Sequence, residues 1–298
     1  MIACYREFCK DLGIFREPKP SIAILNWRNV KVIPEYEIWR DFFISNGHES
    51  AIVDPRDLHV KGGTLFGSPI NDPGRSFAID LIYRRLVTYE ITRELVQGDL
   101  APFIDACREG LACIVNPFKS NLITSKGVLA LLSDASNASL FTRKEGKYIE
   151  KFVPWSRLLE KGETWYRERE IELIPFLQAQ PDRFVIKAAR SRGGREVILG
   201  NDPRVGREEW SQLIERHARE GGWIVQERVQ IPELTLPVVR NRDITLETFK
   251  INLNPYVIGS KFCNAGCRAS KSNIINVGVG GGQLPTFLVM QRAPESPE

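Results

Sequence analysis

Four short apolar runs, spaced by stretches with helical periodicity, constrain the first 120 residues more than any other feature of this chain. SIAILNW (21–27), SAIVDP (50–55), DLIYRRL (80–86) and LACIVNP (111–117) have the length and apolar content of buried strands. Between them, Pro34 to Asn46, Tyr89 to Val96 and Pro102 to Glu109 carry apolar residues at helical spacing, and the first of these stretches stops at Gly47. Strands that alternate with helices are joined by crossovers, which lay successive strands parallel, so a doubly wound parallel sheet is expected here. KGGTLFGSPI (61–70) interrupts the alternation as a small hairpin turned at its glycines.

The pattern changes after Asn121. The chain reads as helical through Leu132, and a further helix is expected from Thr142, whose hydroxyl can cap it with Glu145 three residues on. The alternating charges Arg167, Glu168, Arg169 and Glu170 read as a solvated helix face. From Asp182 onward RFVIKAA, REVILG, WIVQERV, ETFKINL and YVIGSKFCNAGCRAS are strand-like, with one amphipathic helix from Glu208 to Glu220. The expected fold class is therefore α/β, a parallel Rossmann-like domain followed by a domain with an antiparallel, helix-covered sheet. The boundaries are an N-terminal helix over 1–20, the Rossmann-like domain over 21–120, a helical connection over 121–180, the antiparallel region over 181–290 and a disordered tail over 291–298.

Composition narrows the classes of function. Hydrophobic residues make up 43% and charged residues 26% of the 298, the balance of a folded globular protein. A net charge of +4 from 41 basic and 37 acidic residues gives no ground for a nucleic-acid partner. No apolar run approaches the roughly 18–20 residues that span a bilayer, so no membrane partner is expected. Six cysteines in a chain of this length do not make a disulfide scaffold, and a reduced, cytoplasmic protein is expected. Cys263 and Cys267 are four residues apart, but none of the three histidines is near them to complete a zinc set.

The segment with most chemistry is FVIKAARSRGGREVILG (184–200). Lys187 places one cation in an apolar strand, and Gly193 and Gly194 let backbone N–H groups approach anionic oxygens without a side chain between. A plain hairpin with a solvent-facing lysine would read the same way. In WIVQERV, Gln226 and Glu227 break an apolar strand as it ends, where a purine could take edge-on hydrogen bonds and a ribose a carboxylate; an edge strand with polar ends is the alternative.

The succession of FVIK, a Gly-Gly hairpin, a Trp-bearing helix, VQERV, GSKFCNAGCRAS and INVGVGGGQLPTFLV resembles the circularly permuted ATP-grasp family, relatives of glutathionylspermidine synthase. Upstream, AILNWRNV, EYEIWRDFF, IVDPRDL, DLIYRRLVTYE, CIVNPFKSNLITSK, LLSD and VPWSRLL resemble it too, so the likeness runs from Ser21 to Val289. It implies a Rossmann-like pre-ATP-grasp domain followed by an ATP-grasp domain. It also implies that Lys187 contacts nucleotide phosphates beneath a lid at Gly193 and Gly194, and that Gln226 and Glu227 form the adenine hinge. Lys126 resembles a second phosphate-contacting lysine, although a surface lysine at a helix start is equally consistent. Arg268, in CRAS, resembles the arginine beside the transferring phosphoryl group, where a permanently charged fork is suited to the task. Asn276 with Gly280, Gly281 and Gly282 either lines the acceptor side or makes a C-terminal turn.

The sequence departs from the family at several positions. Ala188 stands where relatives usually have proline, and Glu196 where they usually have glycine. The family's magnesium ligands, an aspartate and a Glu-x-Asn pair, lie on strands upstream of the region with which this chain begins, so the metal ligands are unknown. Asn252 and Asn254, with Glu247 nearby, are an internal substitute to be tested against the structure.

The resemblance implies ATP and magnesium as cofactors and an ADP-forming carboxylate–amine ligase acting through an acyl phosphate on a small carboxylate, amine or peptide-like substrate. The rival expectation is a degenerate or split protein that binds nucleotide, or a second chain supplying the missing strands, without ligating alone. A dinucleotide oxidoreductase is disfavoured, because NWRNVKV after the first strand has no glycine to admit a pyrophosphate.

Overall fold

The computed structural model describes residues 1–14, 19–29, 33–96, 98, 100–191, 194, 196–258 and 261–287. Gly193 and the tail 291–298 lie outside them. The chain divides into two units, Met1–Leu122 and Ile123–Glu298.

The first unit runs α1 (Ile2–Asp11), β1 (Ile22–Leu25), α2 (Ile33–Ser45), β2 (Ser50–Lys61), β3 (Thr64–Pro69), β4 (Phe77–Ala78), β5 (Leu81–Arg84), α3 (Thr88–Leu95), α4 (Ala101–Glu109) and β6 (Cys113–Val115). Its six-stranded sheet has the order β4-β3-β2-β1-β5-β6. β1 pairs in parallel with β2 and β5, and β5 in parallel with β6. β3 and β4 add in antiparallel fashion beyond β2, because the hairpin turned at Gly62 and Gly63 reverses the chain. The expected doubly wound sheet is thus mixed, a parallel centre with an antiparallel annex. β1 is buried on both faces. Ala23 and Leu25 pack with Phe103 and Ala106 of α4, while Ile22 and Ile24 pack with Tyr36 and Phe43 of α2, which is why its sequence is a continuous apolar run.

The short helix α5 (Ser120–Thr124) carries the chain across the unit boundary. The second unit continues with α6 (Gly127–Ser133), α7 (Arg143–Phe152), β7 (Ser156–Leu158), β8 (Glu163–Tyr166), β9 (Arg169–Glu172), α8 (Leu173–Ala179), β10 (Phe184–Ala188), β11 (Val197–Leu199), α9 (Arg207–Glu220), β12 (Trp223–Glu227), β13 (Glu233–Arg240), β14 (Asp243–Ile258), β15 (Lys261–Ser270) and β16 (Gly282–Leu284). α7 begins at the reciprocal cap expected for it, with the Glu145 amide 3.3 Å from Thr142 Oγ1 and the Thr142 amide 2.8 Å from Glu145 Oε2. Arg167 to Glu170 depart from expectation. They lie in the turn and second strand of the β8–β9 hairpin, since the charge alternation has the period of a strand and not of a helix.

Two four-stranded sheets organise this unit, β11-β10-β12-β7 and β13-β14-β15-β16. All their pairings are antiparallel. In the first sheet Phe184, Ile186 and Val225 face a core with Leu177 of α8 and Trp210 and Ile214 of α9, and the Trp210 indole N–H donates to the Leu177 carbonyl at 3.0 Å. The second sheet was expected to be helix-covered, yet Leu246, Leu253 and Phe262 on it are exposed. Among the described residues no helix is long and apolar enough to cross a membrane.

Candidate functional site

A cleft of about 1140 Å³ opens in the second unit on the face of β10 and β12 opposite the Trp210 core. Strand alternation makes this possible: Val185 and Lys187 of β10, Val197 and Leu199 of β11 and Gln226 of β12 share the side opposite Phe184, Ile186 and Val225. The chain from Glu227 to Glu233, with Lys250, Asn273 and Ile274 from the second sheet and the loop after it, closes the cleft.

Lys187 is its central cation. The ammonium donates to Gln226 Oε1 at 2.6 Å. Gln226, 6% exposed, in turn donates through Nε2 to Ser156 Oγ at 2.9 Å, and Ser156 donates to the Pro154 carbonyl at 2.9 Å. This relay fixes both the amide and the ammonium. Burial lowers the Lys187 pKa, and the charge of Lys126 lowers it further. Among the described residues no carboxylate pairs with Lys187, so its charge is compensated only by an amide dipole.

Lys126, directly before α6, reaches the same hairpin. Its ammonium lies 3.0 Å from the Ala188 carbonyl and 2.5 Å from that of Ser191, and its amide donates to Ala189 at 2.8 Å. Gly194, with φ +78°, brings the hairpin loop against the loop after β15; a Cβ there would sit 2.5 Å from Ile274 Cγ2. The two departures from the family's hairpin also have local structural consequences. The Ala188 amide donates to the Glu196 carbonyl at 3.1 Å, a bond that a proline would lack, and Glu196 holds φ +53°, a value glycine would adopt without strain.

Glu227 ends β12 and borders the cleft, while its pairing with Phe184 puts its side chain on the core face of the sheet, opposite Gln226. Its carboxylate accepts from the Tyr166 hydroxyl at 2.6 Å and lies 3.2 Å from Arg183 and 3.5 Å from Arg167. Its amide is bonded to the Trp155 carbonyl and that of Arg228 to the Arg183 carbonyl, each at 2.8 Å. Sequence reading missed Tyr166, Arg167 and Arg183; the available signal was an arginine directly before FVIK and the period-2 pattern of 163–172.

The structure therefore gathers Lys187, Gln226 and Glu227 around one cleft and sets Lys126 and Gly194 at its hairpin. It does not bring in Arg268 directly. Arg268 pairs with Asn252 on β14, on the same sheet face as the cleft-lining Lys250, but it does not line the cleft. Asn276 makes a turn, its Oδ1 accepting from the Gly278 amide at 2.8 Å and its carbonyl from the Gly281 amide at 2.9 Å. The internal metal substitute fails on parity. Glu247 points to the opposite face of β14 from Asn252 and Asn254, and it is bound by Arg240 and Lys271. Among the described residues no group of three or more His, Cys, Asp or Glu could hold a metal ion, so no magnesium ligand is assigned. Among the described residues no disulfide joins any of the six cysteines.

No protein family's sequence profile matches the chain, and no curated protein matches it. Among solved structures, it is similar to a RimK-domain ATP-grasp protein of Sphaerobacter thermophilus, with 17% identity, a TM-score of 0.36, and 73% of this chain and 69% of that one covered. It is also similar to D-alanyl-alanine synthetase A of Vibrio cholerae, with 11% identity, a TM-score of 0.34, and 81% and 69% covered. Scores of this size do not assign a family to the chain.

Proposed function

We propose that the cleft of the second unit binds ATP and that the chain is an ATP-grasp protein. The observation that carries this reading is Lys187, an ammonium in a largely desolvated setting that faces the cleft and, among the described residues, pairs with no carboxylate. A buried charge without a counter-charge is costly, and a polyanionic ligand removes that cost. A triphosphate beside Lys187 would lie under the Gly194 turn, with the purine against Val185 and Leu199 and the ribose hydroxyls toward Glu227. Lys126 would join the phosphates by exchanging its hairpin carbonyls for them.

In the reaction we propose, ATP phosphorylates a carboxylate, an amine displaces phosphate from the acyl phosphate, and ADP is released. The contribution of Lys187 and Lys126 is to offset charge on the phosphate oxygens as the γ-phosphoryl moves. Arg268 would act on that group only with the sheet β13–β16 drawn toward the cleft. A second reading is nucleotide binding without turnover by this chain alone, with a partner chain completing the site. The commitment of Glu227 to Tyr166, Arg183 and Arg167, and of Glu247 to Arg240 and Lys271, favours it, because neither carboxylate stands ready for a metal.

Calorimetric titration of the full chain with ATP, with and without magnesium, tests the nucleotide site. ADP release in the presence of mixed carboxylates and amines then separates the two readings. Absence of any ATP binding under both conditions rejects both.

A further inference from the structure

The helix α7 has no buried residue, and one side of it carries only cations and aromatic rings. Gly146 and Ile149, three residues apart, are its half-buried positions. Lys144, Lys147, Tyr148 and Lys151 follow the i, i+3, i+4, i+7 spacing of a single face, with Arg143 and Phe152 at its borders, and all six are exposed. Among the described residues none of these four cations forms an ion pair. The two carboxylates of the helix fall outside the face, and Glu145 is held at the N-cap, its Oε2 accepting from the Thr142 amide and hydroxyl at 2.8 Å each. Arg143 and Lys144 stand in the first turn, where the helix dipole disfavours cations. Helix formation does not account for them, and a bound anionic surface would offset their cost.

The rings indicate which anionic surface fits. Tyr148 and Phe152 are 56% and 64% exposed and stack with centroids 6.0 Å apart and 16° between planes. Lys151 Nζ lies over the Phe152 ring, 5.1 Å from its centroid. Phe152 is thus engaged through its ring faces by Tyr148 and Lys151, and an incoming nucleic-acid base would compete with both contacts. A helix of ten residues is about 15 Å long, too short to supply the roughly 800 Å² per partner of a stable protein interface. An anionic lipid surface asks for neither a free ring face nor a shaped pocket. It attracts each nearby lysine and arginine and takes up aromatic edges at headgroup level. A helix that lies in the interface needs no apolar span.

We infer that the outward face of α7 docks the chain on a membrane surface rich in anionic phospholipid, with Arg143, Lys144, Lys147 and Lys151 at the headgroup phosphates and Tyr148 and Phe152 entering the headgroup layer. The docking face is separate from the nucleotide cleft, which none of these residues lines. Attachment is reversible and salt-sensitive, because four cations and two rings hold it.

The test is co-sedimentation of the full chain with phosphatidylcholine vesicles containing about one-third phosphatidylserine. Binding is expected at low ionic strength, with loss at high salt and none to pure phosphatidylcholine vesicles. The triple variant Lys144→Gln, Lys147→Gln, Lys151→Gln should bind on the order of a hundredfold more weakly, about fivefold for each cation. Tyr148→Ser with Phe152→Ser should weaken binding by about tenfold. Lys147→Gln alone, about fivefold weaker, carries the test if a multiple variant does not fold. No binding of the wild type to anionic vesicles overturns the inference, as does equal binding to neutral ones or unchanged binding in the lysine variants. Capture of a labelled single-stranded oligonucleotide without capture of vesicles overturns it in favour of nucleic acid.

Discussion

The Lys187 ammonium and the Gln226 side-chain carbonyl meet at 2.6 Å across the antiparallel pair β10–β12. They are diagonal neighbours on one sheet face, since Lys187 pairs with Ile224 and Val185 with Gln226. Gln226, expected at the adenine hinge, holds the cation in this geometry, and the chain beyond it lines the cleft.

Lys187→Ala should weaken ATP binding by roughly tenfold to a hundredfold, the worth of a charge-assisted hydrogen bond. Thermal unfolding of the free variant should occur at the same temperature or higher, because the substitution removes an uncompensated charge. Calorimetry and a melting curve on the same sample check both halves.

Nucleotide binding should take up protons at alkaline pH. Burial and Lys126 hold the Lys187 pKa below that of a solvated lysine, and a bound phosphate would raise it again. Affinity should therefore fall as pH rises through the lowered value. Titrations in buffers of differing ionisation enthalpy measure the uptake directly, and in Lys187→Met it should shrink.

Gly194→Ala should cost about 1–2 kcal/mol from the left-handed backbone, plus the conflict with Ile274, whose Cγ2 lies 2.5 Å from the new methyl position. Combining it with Ile274→Ala should restore the steric part and leave the backbone part. A denaturant double-mutant cycle resolves the two.

In the first unit, Asp54 is fully buried and accepts the Arg28 amide at 2.8 Å, the Arg56 amide at 3.0 Å, and Arg56 Nε and Nη2 at 2.8 and 2.6 Å. Burial would raise its pKa, but the Arg56 and Arg28 hydrogen bonds prevail and lower it. Its contribution is thus present above the unfolded carboxylate value of about 4 and is lost as pH falls through the lower folded value. Asp54→Asn should destabilise by about 2–4 kcal/mol, less than a fully buried pair because Arg56 retains access to water. The variant should also lose part of the acid dependence seen by denaturant titration at several pH values.

Elements with an unambiguous period were legible in the sequence. β1, β5 and β10 were found as apolar runs, α9 by its amphipathic spacing and α7 by its cap. The β8–β9 hairpin is hidden in the sequence because alternating charge also fits a helix face, and β13 because its mostly exposed residues mix polar and apolar types around Pro237. The cation in β10 and the glycine turn are local features, and sequence located them. The Tyr166–Glu227 and Arg183–Glu227 contacts join residues 61 and 44 positions apart, and only the folding of two separate segments onto one strand end creates them.

One sheet separates the proposed ligand from the interior. Phe184, Ile186 and Val225 share a core with Trp210 on one side, while Val185, Lys187 and Gln226 form the cleft floor on the other. A single layer of backbone cannot insulate its two sides from each other. An unbiased screen for altered nucleotide affinity should therefore return hits along α9, at Trp210 and Ile214, in a helix whose side chains never meet the solvent of the cleft.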